Sequence, residues 1–373
     1  MKRLWLFLCL FLPAFAHAQN TTNGVPPSLL DHLTTGINLT RWFGYVDNPD
    51  DTSHFQNYLS VDDFANFQRL GIHFVRLCVT PKVIDNQGQP KAAALAWVDW
   101  ALDWLQAADI AVIFDLHDNG ELKLDTPGQD NTSFVSFWQA IAKHYQGRRE
   151  NLLIFELVNE PVFRKNPETW YALQEKTVQA IRAIDPARTI MVSGTDYSSI
   201  DTLANMTPLP EKNLVYTFHC YDPFFFTHQG ATWAGDSVKP LKDMPFPANP
   251  AAVDKMIAQI PAASQGAVRW YGRQPYDQTY LLNRLKKAVD WGKQNGVPVV
   301  LGEYGAYALV SPPDSRARWF AAMRSALTQL NLPNSLWGYD DSFGLGRRRE
   351  SDGSLWLDPV TLQNLYNIPP AQK

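Results

Sequence analysis

The sequence predicts a single (β/α)8 TIM barrel, and three observations predict it. Eight short apolar runs alternate with helical patterns, the arrangement of a parallel sheet whose strands are joined by crossover helices. About 355 residues would remain once the leader described below is removed, more than the usual single core but ordinary for such a barrel with insertions. Finally, two glutamates, Glu160 and Glu303, each close an apolar, strand-like run, Leu152–Pro161 and Val299–Gly305. In a closed parallel barrel every strand exits at the same mouth, so acids far apart in sequence meet there.

The expected strands lie near 35–39, 73–79, 111–116, 153–159, 189–194, 213–219, 297–302 and 335–339. Between them Val61 to Leu70 reads as a helix, as does Ala93 to Ala107, where Leu95, Val98, Leu102 and Leu105 make one apolar stripe. Trp97, Trp100 and Trp104 on that segment read as outer packing. Helical spacing returns at Leu173, Thr177, Ala180, Ile181 and Ile184, at Leu281, Leu285, Ala288 and Val289, and from Asp314 to Leu330. After the sixth strand, Cys220 to Tyr276 forms a long β6-α6 loop insertion rich in proline and aromatics, and a loop of that length on a barrel rim shapes the site. Phe224, Phe225 and Phe226 read mostly as core beneath it. Trp42, Phe43 and Trp233 read equally as stacking platforms or as packing. No repeat, low-complexity tract or linker is present, so residues 19–373 read as one catalytic domain, expected to be a monomer.

Lys2 and Arg3 precede an apolar stretch from Leu4 to Phe15, and Ala16-His17-Ala18 has the small-x-small form of a cleavage site. Residues 1–18 therefore read as a signal peptide, since about a dozen apolar residues fall short of the roughly 20 that span a bilayer. The product is expected to be secreted, extracellular or periplasmic, with no membrane attachment after cleavage. Loss of Lys2 and Arg3 takes 33 basic residues to 31 against 37 acidic ones, a formal charge of −6 that disfavours nucleic acid. Cys9 leaves with the signal. Cys78 and Cys220 remain in an oxidising compartment, but strand alternation turns them to different faces, which favours two free buried thiols.

An acid at the exit of a buried strand is costly to desolvate unless it is hydrogen-bonded or used, so Glu160 and Glu303 read as a catalytic pair of the kind that cleaves glycosides. Glu156, four residues before Glu160 on the same run, would lie about 13 Å down an extended strand and reads as a buried interior group with a cationic or hydroxyl partner. Asp340 and Asp341 read equally as contacts to a substrate or as loop caps. His117-Asp118 and the lone His219 lack the clustered ligands of a zinc site, and no glycine-rich phosphate cradle follows the first strand. No metal and no cofactor is expected.

Gly36-Ile37-Asn38-Leu39-Thr40-Arg41-Trp42-Phe43, Phe74-Val75-Arg76-Leu77, Asp115-Leu116-His117, Asn159-Glu160-Pro161, His219-Cys220-Tyr221, Gly302-Glu303-Tyr304-Gly305 and Trp337 occur in one order over residues 36 to 340. In that ordered set the chain resembles glycoside hydrolase family 5. The resemblance implies a retaining mechanism with Glu160 as general acid and base and Glu303 as nucleophile. It also implies that Arg76 favours the ionised form of Glu303, that Asn159 meets the sugar 2-hydroxyl, and that His117, His219 and Tyr221 line the cleaved-sugar subsite. Within that subsite Tyr221 would lie near the nucleophile and His219 near the acid. Trp337 would form an apolar floor under the ring. Where many relatives carry a second His or small residues after the position of His117, this chain has Asp118-Asn119-Gly120, so the substrate is not carried over with the chemistry. The expected activity is hydrolysis of a polysaccharide, β-1,4-glucan, in the manner of an endoglucanase. The alternatives are β-mannan, xyloglucan or β-1,3-glucan attacked from its end, and, more distantly, a glycan-binding protein without turnover.

Overall fold

Eight parallel strands close on themselves in the computed structural model, which describes residues 23–348 and 353–369. They are β1 (Thr35–Phe43), β2 (Phe74–Val79), β3 (Ala111–Leu116), β4 (Leu153–Glu156), β5 (Thr189–Ser193), β6 (Leu214–His219), β7 (Val299–Glu303) and β8 (Asn334–Leu336). Each pairs with its sequence neighbours, and β1 pairs with β8 to complete the barrel. All eight fall on the expected runs. The signal assigned to residues 1–18 lies outside the described residues, and no helix among those described is long and apolar enough to cross a membrane.

The strands are buried on both faces, which is why they read as continuous apolar runs and not as alternating ones. Val75, Leu77, Val112, Phe114, Phe155, Tyr216 and Leu301 join the layer beneath the outer helices. Phe74, Ala111, Ile113, Ile154, Met191, Val215 and Val300 form a separate inner layer, and Val25, Leu29 and Leu33 of the segment around helix α1 (Pro27–His32) pack against it. Gly36 makes that floor possible, because a Cβ there would stand 2.4 Å from the Phe74 ring. One step higher the interior changes character, with Asn38, Arg76, Asp115 and Glu156 all buried.

The connecting helices include α2 (Val61–Leu70), α3 (Ala92–Ala107), α4 (Thr132–Tyr145), α5 (Pro167–Arg182), α6 (Ile200–Asn205), α9 (Gln278–Asn295) and α10 (Pro313–Leu330). Ser60 and Asp63 close a capping box at the start of α2, and Gly71 ends it in the left-handed region that glycine adopts without strain. Helices α1, α4 and α6 lie beyond those expected. The insertion after β6 differs from the expected loop, because it carries α7 (Pro250–Met256) and α8 (Ala262–Gly272), whose Val253, Val268 and Tyr271 enter the main core. Of the three phenylalanines read as core, Phe226 is buried but Phe224 is 42% exposed, at the start of a single helical turn. Cys78 and Cys220 are both free and buried.

Candidate active site

The C-terminal ends of β2, β3, β4, β6, β7 and β8 converge on one cluster. Arg76 comes from within β2, His117 follows β3, Asn159 and Glu160 follow β4, His219 ends β6 with Tyr221 two residues on, Glu303 ends β7, and Trp337 follows β8. Sequence position alone would leave Glu160 on an extended strand. The strand stops at Glu156, however, and Glu160 has φ +45°, a left-handed conformation unusual outside glycine. The extended-strand spacing between Glu156 and Glu160 therefore does not hold.

Glu160, His219 and Glu303 each place a side-chain O or N atom within 4.8 Å of the other two. His219 Nδ1 stands 2.7 Å from Glu160 Oε1 and 3.5 Å from Glu303 Oε2. Gly302 permits this, since a Cβ there would lie 3.1 Å from His219 Nε2. Glu303 is buried, receiving Arg76 Nη1 on Oε1 at 2.6 Å and the Tyr221 hydroxyl on Oε2 at 2.9 Å. Glu160 is more open, with 26% of its side chain exposed. Burial pushes the Glu160 carboxyl up to about 7, against the opposing pull of His117 and Arg76. Burial also raises Glu303, while His219 and Arg76 oppose it and Glu160 adds to it. The buried rings of His117 and His219 are pushed down to about 4, so both are neutral at neutral pH.

Arg76 is fully buried and reaches further than Glu303. It donates to Glu156 through Nε at 2.6 Å and Nη2 at 2.9 Å, to Asn159 Oδ1 at 2.9 Å and to Asn38 Oδ1 at 3.0 Å, and its Nη2 lies 3.0 Å from Asp115 Oδ2. Glu156 thus has the cationic partner expected of it. With Asn159 Oδ1 engaged by Arg76, its amide N–H groups have no partner among the described residues. His117 Nδ1 lies 2.7 Å from Asp115 Oδ2, and its ring stacks on Trp337 with centroids 5.3 Å apart at 21°.

Sequence reasoning missed Tyr45, which meets both His117 and Trp337 edge-on at 5.9 and 6.4 Å. Its only signal is an aromatic just beyond the first strand. The neighbouring candidates Trp42 and Phe43 are fully buried packing residues, Trp42 donating its indole N–H to the Phe55 carbonyl. Trp233 is 65% exposed and stands edge-on to Tyr307 at 5.3 Å. Asp340 accepts from the Tyr58 hydroxyl at 2.8 Å and from Arg348 Nε at 3.2 Å, and Asp341 caps the Phe343 N–H.

Among the described residues, two groups have donor atoms close enough to hold a metal: Glu160, His219 and Glu303, and Cys78, Asp115 and His117. A dication fits neither well. Glu303 is already bonded to a guanidinium, and Asp115 is shared between Arg76 and His117. The arrangement instead suits acid–base and nucleophilic chemistry, with one carboxyl held by a cation and a phenol and a second carboxyl of raised pKa facing it across the mouth.

Residues 36–342 match the model of the Cellulase family, described as glycosyl hydrolase family 5. Endoglucanase C of Acetivibrio thermocellus is 28% identical over 315 residues, covering 82% of this chain and 90% of the relative. Endoglucanase 3 of Fibrobacter succinogenes is 27% identical over 359 residues and covers 89% of this chain; the chain spans 53% of that relative's length. Among solved structures, Thermotoga maritima Cel5A in a mutant form with a cellobiose substrate superposes with a TM-score of 0.73 at 23% identity, covering 92% of this chain and 99% of that one. The cellulose synthase subunit Z of Clostridioides difficile gives 0.70 at 24% identity, covering 89% and 99%. At these identities the structural likeness speaks for the fold.

Proposed function

The chain belongs to the cellulase family, glycosyl hydrolase family 5, and is a glycoside hydrolase; from that premise we propose that it hydrolyses β-1,4-glucan by double displacement. The observation that carries this reading is the approach of Glu160 and Glu303 oxygens to within 4.8 Å. Retaining enzymes need carboxyl groups roughly 5–5.5 Å apart, whereas inverting ones hold them about 6.5–9.5 Å apart to admit a water.

In the first half-reaction a Glu303 oxygen bonds the anomeric carbon as the glycosidic C–O bond breaks, and the proton of Glu160 passes to the departing oxygen. In the second, Glu160 takes a proton from water, whose oxygen displaces Glu303. Arg76 and the Tyr221 hydroxyl support Glu303 as the charged member, and the raised pKa of Glu160 suits an acid at neutral pH. Asn159 is assigned to the sugar 2-hydroxyl through its free amide N–H groups, and His117 and His219 to the walls of the same subsite. Trp337, joined by Tyr45, is assigned to the apolar face of the ring. The proposed polysaccharide hydrolase is exported after loss of residues 1–18 and acts as a monomer.

Proton NMR of the first sugar released from cello-oligosaccharides tests the stereochemistry, and the expected product keeps the β configuration. Inversion would contradict the assigned geometry. Glu160→Ala and Glu303→Ala should each lower turnover by roughly 10³-fold or more while the fold persists. Cello-, manno- and laminari-oligosaccharides assayed side by side report linkage and cutting mode, with preference for the cello series expected.

A further inference from the structure

Resting on the assignment of Glu303 as nucleophile, we propose that Glu156 is a positioning residue for the reaction, the permanent counter-ion of Arg76 that lets Glu303 give up its charge to the sugar and recover it. Arg76 is buried, and its guanidinium faces three carboxylates at once: Glu156 at 2.6 and 2.9 Å, Glu303 at 2.6 Å and Asp115 at 3.0 Å. Only Glu156 is held by two parallel N–H bonds, the geometry that makes a guanidinium–carboxylate pair strongest.

The covalent step moves charge within this cluster. When a Glu303 oxygen bonds the anomeric carbon, Glu303 becomes a neutral ester. The electron pair of the broken C–O bond goes to the leaving oxygen, which takes the proton of Glu160. One negative charge has then passed from Glu303, which Arg76 touches, to Glu160, with which Arg76 makes no hydrogen bond or ion pair. With Glu303 esterified, Arg76 keeps two carboxylates, Glu156 on two N–H bonds and Asp115 at 3.0 Å. Without Glu156 the buried guanidinium would rest on Asp115 alone, which is shared with His117, and an under-compensated buried charge is destabilising. In the free enzyme the pair of Glu156 with Arg76 draws on the positive charge of Arg76, so Glu303 is less firmly stabilised as a resting ion and remains nucleophilic.

The other groups facing Glu303 do not replace this role. His219 and Tyr221 follow from β6, His117 from β3, Glu160 and Asn159 from beyond β4, Cys78 from β2 and Tyr45 from beyond β1. None of them is an anion bonded to Arg76. Asp115 is one, but it is shared with His117 Nδ1 at 2.7 Å.

The test is Glu156→Gln, of the same shape but without the charge. With one negative charge removed, the acidic limb of kcat/KM, which follows ionisation of Glu303 in the free enzyme, should move to lower pH by about one unit. The second readout is the melting temperature before and after trapping with a 2-deoxy-2-fluoro β-cellobioside bearing a dinitrophenyl leaving group. Trapped wild type should melt no lower than its free form, whereas trapped Glu156→Gln should melt lower than free Glu156→Gln. A residue that merely packs would lower both forms alike. Glu156→Asp, which keeps the charge, should restore both behaviours. An unmoved limb, or equal melting of free and trapped Glu156→Gln, overturns the proposal. Should that variant not fold, Glu156→Ser, which also removes the charge and leaves room for a water, takes its place; its limb should likewise move to lower pH, and an unmoved limb overturns the proposal. Wild type inactive on every β-glycan tried defeats the functional reading and this inference with it, whereas an active wild type with an unmoved limb in Glu156→Gln defeats this inference alone.

Discussion

Glu160 and Glu303 are the same side chain in two environments, and the difference between those environments decides their chemistry. Glu303 lies under Arg76 and Tyr221, both of which favour its anion. Among the described residues Glu160 hydrogen-bonds only His219, at 2.7 Å, a ring pushed down to about 4 by burial and so without positive charge at neutral pH. The proton therefore stays on Glu160 up to about pH 7, where the proposed glycosylation step requires it. Above that value kcat/KM on a cello-oligosaccharide should fall about tenfold per pH unit, with an apparent pKa near 7. A plateau extending to pH 9 would contradict the assignment. At this scale the sequence was informative where short motifs held residues close together, as with Asn159 beside Glu160 and Tyr221 two positions after His219. Tyr45 lies outside every motif and Asn38 had no role assigned within its own, and only the closed barrel brings them to Trp337 and Arg76.

The strands were legible because a sheet covered on both faces is written as uninterrupted apolar residues, and all eight appear where those runs lie. The end of β4 was not legible. Leu157-Val158-Asn159 continues the pattern, yet the chain leaves the sheet at Glu156 and turns through a left-handed Glu160. That turn is fixed by contacts from other elements, which a local pattern does not contain. Helix α4 was missed although Phe134, Trp138, Ile141 and Tyr145 give it a buried face, because it begins after a long polar stretch following β3. The insertion looked like loop because its helices are short and separated by prolines. Between β1 and β2, Gly36 and Phe74 fit only as a pair. Gly36→Ala should cost about 1–3 kcal/mol of stability in chemical denaturation, since the new methyl meets an aromatic ring in a packed layer. Activity at low temperature should be retained, because that layer lies below the polar one that carries the site.

For the molecule as a whole, the site is an electrostatic liability that the rest of the barrel offsets. A carboxyl whose folded pKa lies above its unfolded value of about 4 binds more protons when folded, so its contribution is complete below that value and is lost as pH rises through the folded one. That window runs to about 6 for Asp115 and about 7 for Glu160. His117 and His219 act in the opposite sense: their contribution is present above the ordinary histidine value of about 6.5 and is lost as pH falls through about 4. Glu160→Gln should therefore raise stability by about 1–3 kcal/mol at pH 8 and hardly at all at pH 5, as measured by thermal melts at the two pH values. Equal effects at both would mean that Glu160 is not burdened by its burial. The global fold was readable from the sequence because strand and helix periods report burial directly. The sharing of one guanidinium among three acids was not, because it depends on how far each strand rises before its side chain turns inward. The segment around α1 has a practical consequence at this same scale. Val25, Leu29 and Leu33 cover the end of the barrel remote from the polar mouth, so recombinant trimming through Leu33 would strip the lid from an oily plug of Phe74, Ile113 and Ile154, leaving a greasy base prone to clumping while the charged rim stays intact.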